Sequence, residues 1–169
     1  MWIDTHCHLD FHPLQTHIHS VMHESRKQGV DAIVIPSVDV HNIDTVISLS
    51  EAYPECCYAL GVHPLFVKTM NPEDLEVLTQ KVRQHNPVAI GETGLDLFVS
   101  KNNIDVQEYY FSEQLRIASE FDLPVIMHVR SAIDLILKHL RRVEVRGGIA
   151  HAFNGSFQQA EQLIERGFK

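Results

Sequence analysis

Cysteine is scarce in this chain, and the three present pair poorly. Cys56 and Cys57 are adjacent, and Cys7 is left over. That excludes a secreted disulfide framework and fits reduced thiols in a cytoplasmic setting. Long apolar runs are also missing. None approaches the ~18–20 residues that cross a bilayer, and nothing at the start resembles a signal peptide, so no membrane partner is expected. Basic residues are few, 14 against 22 acids, for a net charge of −8. There is thus no global basic footprint for duplex nucleic acid. Such a substrate would have to be held locally, by metals and a few basic side chains. Linkers, low-complexity segments and charge blocks are absent too. The 169 residues, 44% of them hydrophobic, read as one domain with a sizeable core.

What is present is alternation. Short apolar or β-branched runs at Trp2–Thr5, Ala32–Pro36, Tyr58–Val62, Val88–Gly91, Pro124–His128 and Gly148–His151 are separated by amphipathic stretches. Their starts recur at the period of a βα unit, and they are apolar on both faces, as parallel strands covered by helices should be. Helix punctuation falls between them. Asn71-Pro72-Glu73-Asp74 reads as an N-cap, a proline at the first helical position and acids in the first turn. Asp105-Val106-Gln107-Glu108 reads as a capping box, followed by a core face of Phe111, Leu115, Ala118 and Phe121. Ser156 is expected to cap the last helix, with Gly29 and Gly167 at helix C-termini. Six units are present where a closed (β/α)8 barrel has eight, so open edges are expected on the first and sixth strands, inviting pairing with another chain.

Histidine is abundant, twelve in all, and its placement is the main clue. In parallel α/β architectures, chemistry collects at the carboxyl ends of the strands. The first strand ends in His6-Cys7-His8, the third in Gly-Val-His63-Pro, the fourth in Gly-Glu92-Thr-Gly-Leu-Asp96, the fifth in His128-Val-Arg130 and the sixth in His151. Residues i and i+2 share a strand face about 6.5–7 Å apart, so His6 and His8 can converge on one cation while Cys7 points away. Neutral imidazole and carboxylate are ordinary ligands for divalent metals. Glu92, with two oxygens, can bridge two ions, with His6 and His8 on one and His128 and His151 on the other. Two metals ~3.5–4 Å apart can activate water and stabilise an in-line phosphoryl displacement. His63 can contact substrate, and Arg130 can clamp a phosphate beside the N-terminus of the helix at Ser156. Asp4 is a candidate partner for the ligands, and Asp96 can orient a ligand or its own loop. His17, His19 and His23 read as a solvated helix face, and His41, His85 and His139 as surface residues.

Taken in order, "IDTHCHLD", "GVHP", "GETGLDL", "PVIMHVR" and "HAFNGS" resemble the TatD-type metal-dependent hydrolases of the amidohydrolase superfamily, and most of all their YjjV-like deoxyribonuclease branch. The resemblance runs the length of the chain. It implies an α/β fold, a TIM-type (β/α) barrel of which about six of eight units are present, in a single domain over residues 1–169. It also implies a binuclear site of zinc, manganese, nickel or magnesium. His6, His8, Glu92, His128 and His151 match the family's metal ligands, Glu92 as the bridging acid. The implied activity is metal-dependent hydrolysis of DNA phosphodiesters, acting at chain ends. Two departures stand out. Thr93 replaces a usual aliphatic residue, and the family's aspartate after the eighth strand, a ligand and general base, has no counterpart here. That second departure makes a shortened chain, with weakened or lost activity, an expectation as well. Two other readings compete. One is hydrolysis of another ester or of an amide, disfavoured because no lysine accompanies Glu92 on the fourth strand. The other is a non-catalytic metal-binding module.

Overall fold

A computed structural model describes residues 2–99 and 102–169. Strands and helices alternate throughout: β1 (Trp2–Asp4), α1 (Ile18–Lys27), β2 (Val30–Pro36), α2 (Ile43–Ala52), β3 (Cys56–Leu60), α3 (Asp74–His85), β4 (Ala89–Asp96), α4 (Ile104–Glu120), β5 (Val125–Arg130), α5 (Ile133–Leu140), β6 (Gly148–His151) and α6 (Phe157–Ile164). All six strands pair in parallel and in sequence order, β1 to β6. That is the order expected of a barrel wall rather than of a doubly wound sheet, where strand order reverses at a switch point. The sheet curls into a half-barrel.

Two apolar layers hold this wall. On one side Ile33, Ile35, Leu60, Ile90, Val125, Met127 and Val129 belong to the large core that includes Met22, Val46, Leu78, Phe111 and Leu115 of the helices. Alternate residues, Val34, Ala59, Ala89 and Ile126, form a smaller cluster with Cys57 and Ile149. The strands are therefore apolar on both faces, which is why they appear as unbroken apolar runs in the sequence.

Four local expectations are revised. β4 does not stop at Gly91 but runs on to Asp96, with a register shift against β5 between Ile90 and Thr93. The predicted capping box at Asp105 does not form. α4 starts at Ile104 with Asn103 at its N-cap, and the Gln107 side chain turns instead to the Asp96 backbone and to Asn103 Oδ1. The sixth strand's edge is not fully open, because Gly167–Lys169 lies along it, with Ala150 N donating to Lys169 O and Lys169 N to Gly148 O, both at 2.9 Å. The helix predicted from Asn71 begins at Asp74, whose carboxylate accepts from Asn71 N at 2.7 Å. The cap at Ser156 forms as a full capping box with Gln159.

Candidate metal centre

Glu92 organises the carboxyl end of the sheet. It sits in the irregular stretch of β4, its N–H donating to Ser37 O of the neighbouring β2–α2 connection, and it is 1% exposed. Close backbone packing brings it there. A Cβ on Gly61 would lie 2.7 Å from Gly91 Cα, and one on Gly91 would lie 2.6 Å from Ile126 O, so the stretch preceding Glu92 fits between the end of β3 and β5 because both residues are glycine.

The two carboxylate oxygens of Glu92 face different histidines. Oε2 lies 2.6 Å from His6 Nε2 and 3.2 Å from His8 Nε2. Oε1 lies 2.8 Å from His128 Nδ1 and 3.6 Å from His63 Nε2. Burial alone would push Glu92 toward protonation, but hydrogen bonds from His128, His6 and His8 outweigh it and hold the acid well below the usual carboxylate range. An ionised carboxylate only accepts, so each facing nitrogen presents an N–H. A cation can take the place of those protons. Among the described residues two groups have ligand atoms close enough to share an ion: His6, His8 and Glu92, and His63, Glu92 and His128.

Two of these rings face a second carboxylate from behind. His128 Nε2 lies 3.0 Å from Asp96 Oδ2, and Asp96 Oδ1 accepts from the N–H groups of Phe98 and Val99. Burial opposes charge on His128, yet the bonds to Glu92 and Asp96 prevail and raise its pKa. His8 Nδ1 and Asp10 Oδ1 are 3.9 Å apart, and both are buried without a hydrogen-bond partner. Asp10 Oδ2 accepts from Asn42 Nδ2 at 2.7 Å, while Asn42 Oδ1 accepts from the N–H groups of Val38 and Asp39. A ring and a carboxylate left facing each other just beyond bonding distance fit an imidazole that closes on its partner when its other nitrogen binds an ion.

His63 differs from the others. Its Nδ1 accepts from Leu65 N at 3.1 Å, so the neutral ring carries its proton on Nε2, toward Glu92 and His128. Burial, only partly offset by Glu92, lowers its pKa to about 4 and keeps the ring neutral. It faces the pocket as a donor, which suits a contact to substrate oxygen better than a bond to metal.

The remaining predicted residues divide. His151 stacks on His6, with centroids 4.0 Å apart and planes 14° apart, and lies 6.3 Å from the His128 ring. It joins neither close ligand group. Arg130 places its guanidinium 4.2 Å from the centre of the Phe98 ring. Asp4 is exposed and accepts from His6 N rather than from a ligand ring. Cys7 packs against the core, away from the ligand groups, and burial pushes its thiol up to about 11. His17, His19, His23 and His41 are exposed, and His85 is half-buried. His139 is not a surface residue: it is buried against Phe111, with Nε2 2.8 Å from Glu108 Oε1. Its neighbours on the sequence gave the helix face no sign of this carboxylate partner 31 positions away.

Four supporting residues escaped the sequence reading. Asp10 lies two past His8, in the turn that follows β1, where its nearness in sequence could have flagged it. Asn42 had no signal. Gln107 and Gln114 are polar residues on the apolar stripe of α4, a mismatch that could have been noticed. Each grips one strand end: Gln107 takes Asp96 N and O, and Gln114 takes Val62 N and O.

Known proteins are similar to this chain in sequence and fold. The family model for TatD-related DNases matches residues 3–169. The metal-dependent hydrolase YjjV of Escherichia coli K12 is 38% identical over 171 residues, covering 99% of this chain and 66% of its own. Its crystal structure superposes with a TM-score of 0.94 at 37% identity. The 3'-5' ssDNA/RNA exonuclease TatD of Salmonella typhimurium is 33% identical over 141 residues, 82% of this chain and 54% of its own. The chain thus spans about two thirds of YjjV. A parallel half-barrel with an acid shared among histidines at its carboxyl edge, and a family match over nearly every residue, lead to one conclusion: the chain belongs to the TatD-related DNase family.

Proposed function

We propose that this protein is a metal-dependent phosphodiesterase that removes nucleotides from the ends of single-stranded DNA. The observation that carries the reading is Glu92, whose two oxygens face separate histidine sets at 2.6 and 2.8 Å. In this reading His6, His8 and Glu92 would hold one divalent ion and Glu92 with His128 a second, with His151, whose ring stacks on His6 and lies 6.3 Å from that of His128, completing the ligand set. Nitrogen and carboxylate donors together suit zinc, manganese or nickel, and magnesium can serve in turnover. When bound, the ions would lower the pKa of a water and polarise the phosphate.

The chain's own residues supply the rest. Glu92 fixes the spacing of the pocket. His63 Nε2–H donates to a non-bridging phosphate oxygen, and Arg130 supplies positive charge at the mouth. A recessed site at the end of a sheet admits a strand end more readily than an intact duplex. The exonuclease name of the Salmonella relative supports a single-stranded substrate. Three free cysteines suit a reducing compartment, so we place the activity in the cytoplasm. A labelled single-stranded oligonucleotide incubated with the manganese-loaded protein should release nucleotides. Chelator, or Glu92→Ala, should stop it. Undiminished hydrolysis by demonstrably metal-free protein would overturn the reading.

A further inference from the structure

Phe98 is 67% exposed, just past the end of β4, yet its backbone is held at several points. Leu97 N donates to Arg130 O at 3.0 Å, and Phe98 N and Val99 N donate to Asp96 Oδ1 at 2.9 and 2.8 Å. The same Asp96 carboxylate meets His128 through its other oxygen. Asp96 and Arg130 are also register partners on β4 and β5. One acid therefore fixes both a ring of the candidate metal centre and the turn that carries the phenyl group.

Arg130 covers one face of that phenyl group, at 4.2 Å from its centre. Among the described residues it has no carboxylate partner within 4.0 Å. A lone exposed apolar residue needs no explanation. An exposed aromatic ring tied rigidly to a catalytic centre, backed by an unpaired guanidinium, matches what a single-stranded nucleic acid presents: a flat base next to a phosphate. Base–aromatic stacking tolerates any sequence, and arginine can serve the phosphate and the ring together. In a chain of net charge −8, such a local seat is needed, because the overall field repels the substrate.

We propose that Phe98 and Arg130 seat the terminal nucleotide of a single strand, the base stacking on the open part of Phe98 and the adjoining phosphate held by Arg130. This rests on the nuclease reading above and names the element that selects its substrate. Phe98 is a binding residue and takes no part in bond breaking.

The test uses a single-stranded oligonucleotide with a normal terminal base and the same strand with an abasic terminus. The parent protein should show a KM about tenfold lower for the base-bearing end, as one stacked base contributes. Phe98→Ala should lose that preference, and Phe98→Trp should keep it. Arg130→Gln should weaken both strands alike and reduce the salt slope of binding by about one. Fluorescence anisotropy of the same labelled strands reads the seat without turnover. If no strand is cleaved with any divalent metal, the nuclease reading falls, while a tenfold loss of anisotropy affinity in Phe98→Ala still upholds the seat. Equal base preference in the parent and Phe98→Ala, by KM and by anisotropy, overturns the seat whatever the cleavage result.

Discussion

His6 and His151 stack ring on ring at 4.0 Å, although one follows the first strand of the sheet and the other ends the sixth. Five inter-strand steps in a flat sheet would separate those strands by about 24 Å. The contact therefore measures the curl of the wall. It also means that the carboxyl-edge pocket is enclosed by side chains from both extremes of the sheet.

Metal content should follow this geometry. The loaded protein should carry two equivalents of zinc or manganese. Glu92→Ala should lose both, because each oxygen of that acid serves one histidine set, whereas His151→Ala should lose one. Elemental analysis after gel filtration reads the count. Two ions retained by Glu92→Ala would show that the acid is not the shared ligand.

The unclosed approach between His8 and Asp10 predicts a role for a residue outside the ligand set. Asp10→Asn, and more mildly Asn42→Ala, should weaken metal affinity by about 10–100-fold, the range seen when the partner of a ligating histidine is removed. Competition with a fluorescent chelator measures this directly. Circular dichroism spectra matching the parent would separate the effect from loss of fold.

Cys56 should be slow to alkylate. Burial first, then the neighbouring Glu55 and Cys57, push its thiol up to about 11. The folded value lies above the ordinary 9.0, so the fold favours the protonated form. This contribution to stability is complete below pH 9 and is lost as pH rises from 9 toward 11. Iodoacetamide at pH 8 should modify Cys56 of the native protein far more slowly than that of the urea-unfolded chain, as peptide mass mapping would show.

Gly94 tolerates no side chain. Its φ is +141°, and a Cβ would lie 2.2 Å from His128 O. Gly94→Ala must move the β4–β5 ladder beside a histidine of the pocket. It should cost at least about 2 kcal/mol of stability in denaturant titration and lower metal affinity as well. At Ser156, where the capping box is exposed, alanine should cost only about 1 kcal/mol and leave metal binding alone.

Much of this was legible in the residues. Parallel strands covered on both faces betray themselves as apolar runs, so the alternation and the order of elements could be read directly. His6, His8, Glu92 and His128 could be placed because each falls at a strand's carboxyl end, where architecture confines chemistry. What escaped depends on long-range contact. The extension of β4 past Gly91 requires the register shift against β5. Burial of His139 requires Glu108 on another helix. The Gln107 side chain chose the Asp96 backbone over a cap, a tertiary bond that local capping rules do not contain. Strand order puts His151 next to His128, and the curl of the wall, which local sequence does not contain, also brings it face to face with His6.

The paired amides of α4 act as a gauge. Gln107 and Gln114 are seven residues apart, about 10.5 Å along the helix axis, and each satisfies one donor and one acceptor where a strand ends. Were the helix to slide by a turn, four buried backbone groups at Asp96 and Val62 would lose their partners together. The separation of the third and fourth strand tips, and so the approach of His63 to Glu92, is set by a ruler lying outside the wall.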